Sequence, residues 1–587
     1  MDLKAQMGQF LAPEFTLAQL AEKLFQAETD PDRVVMRQWI YGEEETCREL
    51  TRAQVNNRIK VVAARLQQVA EPGTRVAILA GNSPEYVFGF LGALYAGMVP
   101  IPLYDPNEPG HSDHLKAGFG DCEPSIVVTN RVSAAAVRTY FSAQRERPRI
   151  ISLDALPDSL ASSWTPVEGT AEDTAFLQYT SGSTRTPAGV ELTNRAIITN
   201  VAQIFQALQL QMPARIVSWL PMHHDMGIIL AVFVTILGLD FEMMTPRDFI
   251  QHPDRWVRRL TAGKQATYAA IPNIALELAA RHAKDADFSH VGGIIIGSEP
   301  VTESAVDSFL EAFSVDRSVL RPSYGLAEAA LIVSTPQTDK RPVISHFNRA
   351  ELAAGRAVIE EKSDDTVAYA SNGQCVPHQH LAIVDPETRA EVKDGVIGEI
   401  WVHGPNMATD YLNRPEETAA TFRNTLGERQ QDGLPEDDYW MATGDLAAIV
   451  DGELYITGRL KDLIVIAGRN HYPQDIEGTV QAASTQVRPD SVAAFSVEGN
   501  DSESLVLLVE RADDAQPSGD AEATEAIRTA VTAHHGITPD DIVWKAPGEI
   551  NRTSSGKIAR RVAKKLSLIH ISEPTRQCCT SRMPSSA

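Results

Sequence analysis

Apolar and polar positions along this chain switch repeatedly between two periods. Short apolar runs of strand length are followed by longer stretches with helical spacing, and the two recur in turn. Arg75 to Ala80 reads as a strand, Gly81-Asn-Ser-Pro breaks it, and a helix is predicted through Ala96. Pro84 suits the first turn of that helix, where a missing N–H is no loss. Further strands are predicted at Ser125 to Thr129, Ala175 to Tyr179, Ile216 to Leu220 and Gly293 to Ile296. Strands this short and apolar, alternating with helices, suit buried sheets, so the fold class is α/β. No internal repeat is present.

Two interruptions divide the pattern. From about Thr335 to Cys375 the periodicity is lost and the residues turn polar and charged, which reads as a surface insertion. The second break follows Gly458-Arg-Leu-Lys-Asp462, after which roughly a hundred residues form a small unit of their own. The predicted organisation is a large domain over 1–460 and a small one over 461–566. From Ser567 to Ala587 the chain becomes rich in Ser, Thr, Arg and Pro without pattern, and this tail reads as non-native sequence.

Composition narrows the options. The 587 residues are 43% hydrophobic and 6% aromatic, as in a folded globular protein. A formal charge of −24, from 53 basic against 77 acidic residues, disfavours a nucleic-acid partner. Cys47, Cys122 and Cys375 are scattered and Cys578 and Cys579 adjacent, so neither a disulfide framework nor a structural zinc site is expected. The longest apolar stretch, Val87 to Leu103, is broken by three glycines and two prolines. It fits a buried helix running into a strand better than a membrane span. A cytoplasmic enzyme is expected, and not an integral membrane protein.

Candidate chemistry begins at Tyr179-Thr-Ser-Gly-Ser-Thr-Arg-Thr-Pro-Ala-Gly189, directly after an apolar strand. Hydroxyls and flexible backbone N–H groups in a tight loop suit polyphosphate oxygens. The spacing is not that of a Walker loop, and alone such a loop is more often a surface turn. Downstream follow Ser323-Tyr-Gly-Leu-Ala-Glu328, Thr443-Gly-Asp445, Gly458-Arg459 with Lys461-Asp462, and Arg552-Thr-Ser-Ser-Gly-Lys557. His223-His-Asp225 and His534-His535 invite a metal reading, but adjacent residues rarely point at one ion.

These five clusters, in this order, resemble the adenylate-forming superfamily, which includes acyl-CoA ligases, luciferases and peptide-synthetase adenylation domains. Within it the chain resembles the fatty-acyl-AMP ligases, especially the long-chain type that feeds mycolic acid synthesis. Gln178 to Arg185, Trp219-Leu-Pro-Met-His-His-Asp-Met-Gly227, Gly297-Ser-Glu-Pro300 and Gly468-Arg-Asn-His-Tyr-Pro-Gln-Asp-Ile-Glu477 carry the narrower likeness. The resemblance implies stacked α/β subdomains in the large domain and a small α+β lid. It also implies ATP and Mg²⁺ as cofactors, a fatty acid as substrate, and an acyl carrier protein or polyketide synthase carrier domain as acceptor.

The same resemblance assigns roles. Thr180, Ser181, Gly182, Ser183 and Thr184 would hold phosphates. Gly297, Ser298, Glu299, Ser323, Tyr324 and Gly325 would flank the adenine, with Tyr324 offering a stacking face. Asp445 would accept from the ribose hydroxyls, with Arg459 near the sugar or phosphate. Glu328 would hold the magnesium ion. His224 is grouped with the catalytic residues, and with Asp225 and Gly227 should border an acyl tunnel. Lys557 would bridge the carboxylate and phosphate oxygens, and Lys461 would be the hinge between domains.

One departure stands out. Superfamily loops usually continue Gly-x-Pro-Lys-Gly after Ser-Thr, whereas here Arg185 stands for the Gly and Ala188 for the Lys. Whether Arg185 replaces the lost charge is left open by the sequence. The rival functions are a fatty-acyl-CoA ligase and, from another class, a non-catalytic nucleotide-binding or carrier-docking protein.

Overall fold

The computed structural model of the protein describes residues 10–108, 112–145, 147–180, 187–283, 286–337, 342–431, 433–435, 439–498, 503–552 and 557–565. The chain divides into two compact units between Leu460 and Lys461.

In the first unit the apolar runs build two largely parallel sheets. The larger has seven strands in the order Leu320–Pro322, Val291–Ile296, Ala266–Ile271, Ala214–Ser218, Asp240–Met243, Val34–Tyr41 and Glu45–Thr51. Every neighbouring pair is parallel except the last, a hairpin. Parallel neighbours need long crossovers, and helices Asp225–Ile236, Ile274–His282 and Glu303–Ala312 supply three of them. The second sheet is fully parallel, in the order Val99–Leu103, Arg75–Leu79, Ile126–Thr129 and Arg149–Ser152.

The apolar stretch Val87 to Leu103 is indeed a buried helix running into a strand. All twelve residues of helix Pro84–Tyr95 are buried, and Val99–Leu103 follows as an edge strand. Among the described residues no helix is long and apolar enough to cross a membrane. The strand predicted over Ile216 to Leu220 runs instead over Ala214–Ser218. Trp219 and Leu220 are buried without extending the ladder; Trp219 stacks on Phe249 with ring centroids 4.1 Å apart. An apolar run reports burial, and burial outlasts the hydrogen-bonded strand.

Two antiparallel sheets complete the first unit's frame. Hairpin Thr174–Tyr179 and Gly189–Thr193 is joined by the short strand Asp410–Tyr411. A four-stranded meander runs through His380–Val384, Gly398–His403, Met441–Val450 and Glu453–Arg459. The segment read from its composition as a polar insertion carries regular structure. Ile359–Glu360, Ile344–Asn348 and Thr366–Ala370 form a sheet, with helix Arg349–Ala353 beside it. Phe347 is buried against Tyr455 at 4.9 Å and Leu352 is buried as well, so the polar stretch is anchored by a few apolar side chains.

The second unit holds a sheet in the order Val487–Glu498, Glu503–Arg511, Asp541–Lys545, with helices Pro473–Ala483 and Asp520–His535. Ile464, Ile476, Val480, Leu507, Ile527 and Val531 are among the side chains of its own core.

Candidate active site

In parallel sheets, ligands gather at the carboxyl ends of the strands, where the chain leaves the ladder and backbone groups become available. Two adjacent strands end in predicted site residues. Val291–Ile296 runs into Gly297-Ser298, and Leu320–Pro322 into Ser323-Tyr-Gly325. Ser298 sits at φ +71°, a left-handed conformation unusual outside glycine. At Gly325 a Cβ would lie 1.7 Å from the Leu331 carbonyl oxygen, so no other residue fits the turn. The amide of Ser323 donates to Ile296 O at 2.8 Å, which ties the two turns together. Glu299 has a structural task, accepting from the Ile274 amide at 2.8 Å at the start of helix Ile274–His282.

Tyr324 joins these turns to the antiparallel meander. Its hydroxyl donates to Asp445 Oδ2 at 2.6 Å, and Arg459 Nε lies 3.4 Å from Asp445 Oδ1. Asp445 and Arg459 are direct partners across neighbouring strands, a register that places a cation beside the carboxylate. Burial, reinforced by the Asp445 charge, holds the Tyr324 phenol well above its ordinary pKa, so it stays a neutral donor.

Glu328 is placed by a residue that sequence reasoning missed. Tyr411 donates its hydroxyl to Glu328 Oε1 at 2.6 Å. Tyr411 belongs to the short strand paired with Gly189–Thr193, so Glu328 is linked to the hairpin that carries the Ser/Thr loop. Nothing in the sequence around Tyr411 signals this contact, which spans 83 positions.

At the tip of that hairpin, the Thr180 amide donates to Ala188 O at 3.0 Å, and Ala188 N returns a bond to the Thr180 hydroxyl at 3.1 Å. Ser181, Gly182, Ser183 and Thr184 lie outside the described residues. Gln178 reaches across to donate to His223 O at 3.1 Å.

His224 caps helix Asp225–Ile236 through its backbone, and its ring lies 4.6 Å from that of His223. His223 in turn rests 4.2 Å from Tyr104 and 3.9 Å from the Glu108 carboxylate. Burial, helped by the Asp105 charge, pushes Glu108 up to about 7. Gly227 is fixed by close approach, since a Cβ would meet Pro221 O at 2.1 Å.

A cavity partly open to solvent runs through this region. Asp225, Ser298, Ser323, Tyr324 and Gly325 border it, whereas His224 and Gly227 do not. The rest of its wall is mainly aliphatic and aromatic. Helix Asp225–Ile236 contributes Met226, Ile229, Leu230, Phe233 and Val234, one face at helical spacing. The sequence marked this run only as apolar; its period could have separated the two faces but not said that one meets a void.

Lys557 and Lys461 belong to the second unit. Ile558 pairs with Arg552 in an isolated bridge, and Ala559 N donates to Asn551 O at 2.8 Å, so the residues after Lys557 are anchored. Arg560 makes a two-pronged bond to Glu477, at 2.7 Å from Nε and 2.6 Å from Nη2, and reaches Asp462 at 3.4 Å. Thr553 to Gly556 and the tail from residue 566 onward lie outside the described residues.

The AMP-binding enzyme family matches residues 25–412, and a Disco-interacting protein 2-like AMP domain matches residues 461–567. The long-chain-fatty-acid–AMP ligase FadD32 of Mycolicibacterium smegmatis is 43% identical, with 88% of each chain covered. The chain belongs to the AMP-binding enzymes, among the fatty-acyl-AMP ligases. Solved structures of such ligases share the fold. One, from work on fatty acyl-adenylate ligases of E. coli and L. pneumophila, is 28% identical, covering 96% of this chain and 99% of its own at a TM-score of 0.82. Another, the L. pneumophila fatty acyl-adenylate ligase in complex with acyl adenylate and pyrophosphate, is 29% identical. It covers 95% of this chain and 97% of its own, with a TM-score of 0.71. The α/β reading of this ligase therefore stands, as does the family read from its motifs.

Proposed function

We propose that this ligase activates a long-chain fatty acid with ATP in the cytoplasm, giving an acyl-adenylate and pyrophosphate. The acyl group then passes to the phosphopantetheine thiol of a carrier protein or polyketide synthase carrier domain, and AMP leaves. The observation that carries the reading is the cavity with a predominantly apolar wall, bordered by Ser298, Ser323 and Tyr324, the last bonded to Asp445. Such a site suits an amphiphile whose tail is buried while its head meets a nucleotide.

In the first step a carboxylate oxygen attacks the α-phosphorus and the bond to the pyrophosphate leaving group breaks. Two anions must approach in line, so positioning and charge neutralisation dominate the barrier. Asp445 accepts from the ribose hydroxyls while Tyr324 and Arg459 hold it in place. Tyr324 and the Gly297-Ser298 turn flank the adenine, and the loop from Thr180 to Thr184 holds phosphate oxygens. Lys557 supplies a positive charge between the two reacting anions. Lys461 is the hinge that lets the small unit change its pose between adenylation and transfer.

Among the described residues no three His, Cys, Asp or Glu side chains form a closed metal cage. A magnesium ion needs none when substrate phosphates complete its shell, and Glu328, buried with one oxygen held by Tyr411, fits as its carboxylate donor. The ion would offset the negative charge of the polyphosphate.

Mass spectrometry of products tests the proposal, using ATP, Mg²⁺, coenzyme A and a ladder of fatty acids. Acyl-AMP is expected to accumulate, with little acyl-CoA, and Lys557→Ala should lower acyl-AMP formation at least a hundredfold, on the order found for preorganised charge stabilisation. Abundant acyl-CoA would instead make the protein a fatty-acyl-CoA ligase. Absence of both products, alike in the variant, would leave only a binding role.

A further inference from the structure

The hairpin that carries the Ser/Thr loop is held near its tip by residues from two distant segments. Tyr179, the last residue of strand Thr174–Tyr179, is buried and donates its hydroxyl to Asp121 Oδ2 at 2.8 Å. On the returning arm, Pro187 O accepts from Arg414 Nη2 at 2.8 Å. Proline has no N–H, so its carbonyl is the one backbone group it can offer. The same Arg414 nitrogen lies 3.8 Å from Asp121 Oδ1, which joins both contacts into one network. Inside that network the two arms meet in the paired bonds between Thr180 and Ala188. Leu412 N donates to Gly189 O at 2.8 Å and keeps the segment ahead of Arg414 on the same arm.

Local electrostatics do not explain where these charges sit. Asp121 lies in the last turn of helix Ser112–Cys122, and Arg414 is the N-cap of helix Pro415–Phe422. A carboxylate at a helix C-terminus and a cation at an N-terminus both oppose the helix macrodipole. Glu417 offsets part of this for Arg414 at 3.2 Å, whereas helix Ser112–Cys122 has no basic residue in its last turn. Each charge is disfavoured on its own helix and favoured by the other, which makes their tertiary contact the reason for the pair. Both side chains are mostly buried, so solvent screens them little. Burial, with Cys122 and Asp121 beside it, holds the Tyr179 phenol well above its ordinary pKa, and it remains a neutral donor.

We propose that Asp121 and Arg414 are positioning residues for nucleotide binding, acting through Tyr179 and Pro187 to fix Thr180 against Ala188. This role rests on the phosphate-holding reading of the loop given above, and adds what sets the spacing of its neck. The Thr180 hydroxyl accepts from the Ala188 amide, and a hydroxyl that accepts one bond keeps a proton to donate. A phosphate oxygen suits that proton. Such a bond holds over only about half an ångström of donor–acceptor distance, so a neck that shifts by more loses it.

Tyr179→Phe and Arg414→Met, as full-length chains, are assayed by pyrophosphate release against ATP and, separately, against fatty acid. Each should lower kcat/KM for ATP roughly tenfold, since about 1 Å of misplacement can cost a hundredfold. The KM for the fatty acid should stay close to its original value. Arg414→Lys, which keeps the charge without the planar fork, should fall between Arg414→Met and the unsubstituted protein. The double variant should be little worse than the poorer single one, because both act on one neck. An unaltered ATP dependence, a rise in both KM values, or losses that multiply in the double variant would overturn the proposal. Tyr179→Phe removes one oxygen and keeps the ring, so it decides the matter even where Arg414→Met does not fold.

Titration of the protein with Mg²⁺ and ATP, without fatty acid, reads the same spacing with no chemistry. The Kd for ATP should rise in Tyr179→Phe by a factor similar to the loss in kcat/KM, and an equal Kd would overturn the role. An unsubstituted protein that binds ATP but adenylates no acid would defeat the proposed function, while the change in Kd still decides the role of Asp121 and Arg414. A protein that binds no ATP at all would overturn both.

Discussion

Tyr324 meets Asp445 through a 2.6 Å hydrogen bond, and Arg459 approaches the other carboxylate oxygen at 3.4 Å. The tyrosine therefore does more than present a ring face: it fixes the rotamer of the carboxylate proposed to read the ribose. Removing the hydroxyl leaves a half-buried carboxylate short of a donor. A hydrogen bond to a charged group contributes about 1.5–3 kcal/mol, so Tyr324→Phe should lower kcat/KM for ATP roughly tenfold or more. The KM for the fatty acid should stay close to its original value. Pyrophosphate release measured against ATP concentration checks this, and an unaltered ATP dependence would remove Tyr324 from nucleotide recognition. The motif Ser323-Tyr-Gly325 and the acid Asp445 were both visible in the sequence. Their bond across 121 positions was not, because it depends on how the meander docks against the parallel sheet.

Within the second unit, Arg560 joins elements that are distant in the chain. Its fork on Glu477 ties the segment after Lys557 to helix Pro473–Ala483, and its contact with Asp462 reaches the residue after Lys461. Glu477 Oε1 also accepts from the Ala494 amide at 3.0 Å, so the helix is pinned to strand Val487–Glu498 as well. All three side chains are mostly buried, and removing the cation leaves two carboxylates without it. Loss of one partner of a buried pair costs about 3–5 kcal/mol. Arg560→Ala should destabilise the second unit by that order, and Arg560→Lys by less, since lysine keeps the charge without the planar fork. Hydrogen exchange at the Ala494 amide reports the change. Protection equal to that of the unsubstituted protein would show that the pair contributes nothing. The element-level reading from sequence was sound where the apolar period was strong, as in helix Pro84–Tyr95. It was thinner over 335–375, where Phe347 is buried among polar neighbours and leaves no periodic trace.

Across the whole chain, stability should follow the division at Leu460 and Lys461. The second unit carries a hydrophobic cluster drawn wholly from its own residues, and the first unit carries several of its own. Calorimetry should resolve two unfolding transitions. Under the proposed function, ATP at a hundred times its dissociation constant adds about 2.7 kcal/mol to the state that binds it. The transition of the first unit should shift upward by the greater amount, because Tyr324, Asp445 and Arg459 all belong to it. A single transition, or equal shifts of both, would refute this division of labour.

Family, fold class and the candidate chemistry of this ligase were legible in the chain alone. Motif order survives as a linear signal, and apolar periods report which positions leave water. Only the tertiary structure decided that Tyr411 holds Glu328, that Glu299 caps a helix, and that one face of helix Asp225–Ile236 borders a cavity. Periodicity records that a side chain is buried. Whether its neighbour is another side chain or an empty space depends on how separate elements meet, and that spacing is written nowhere along the chain.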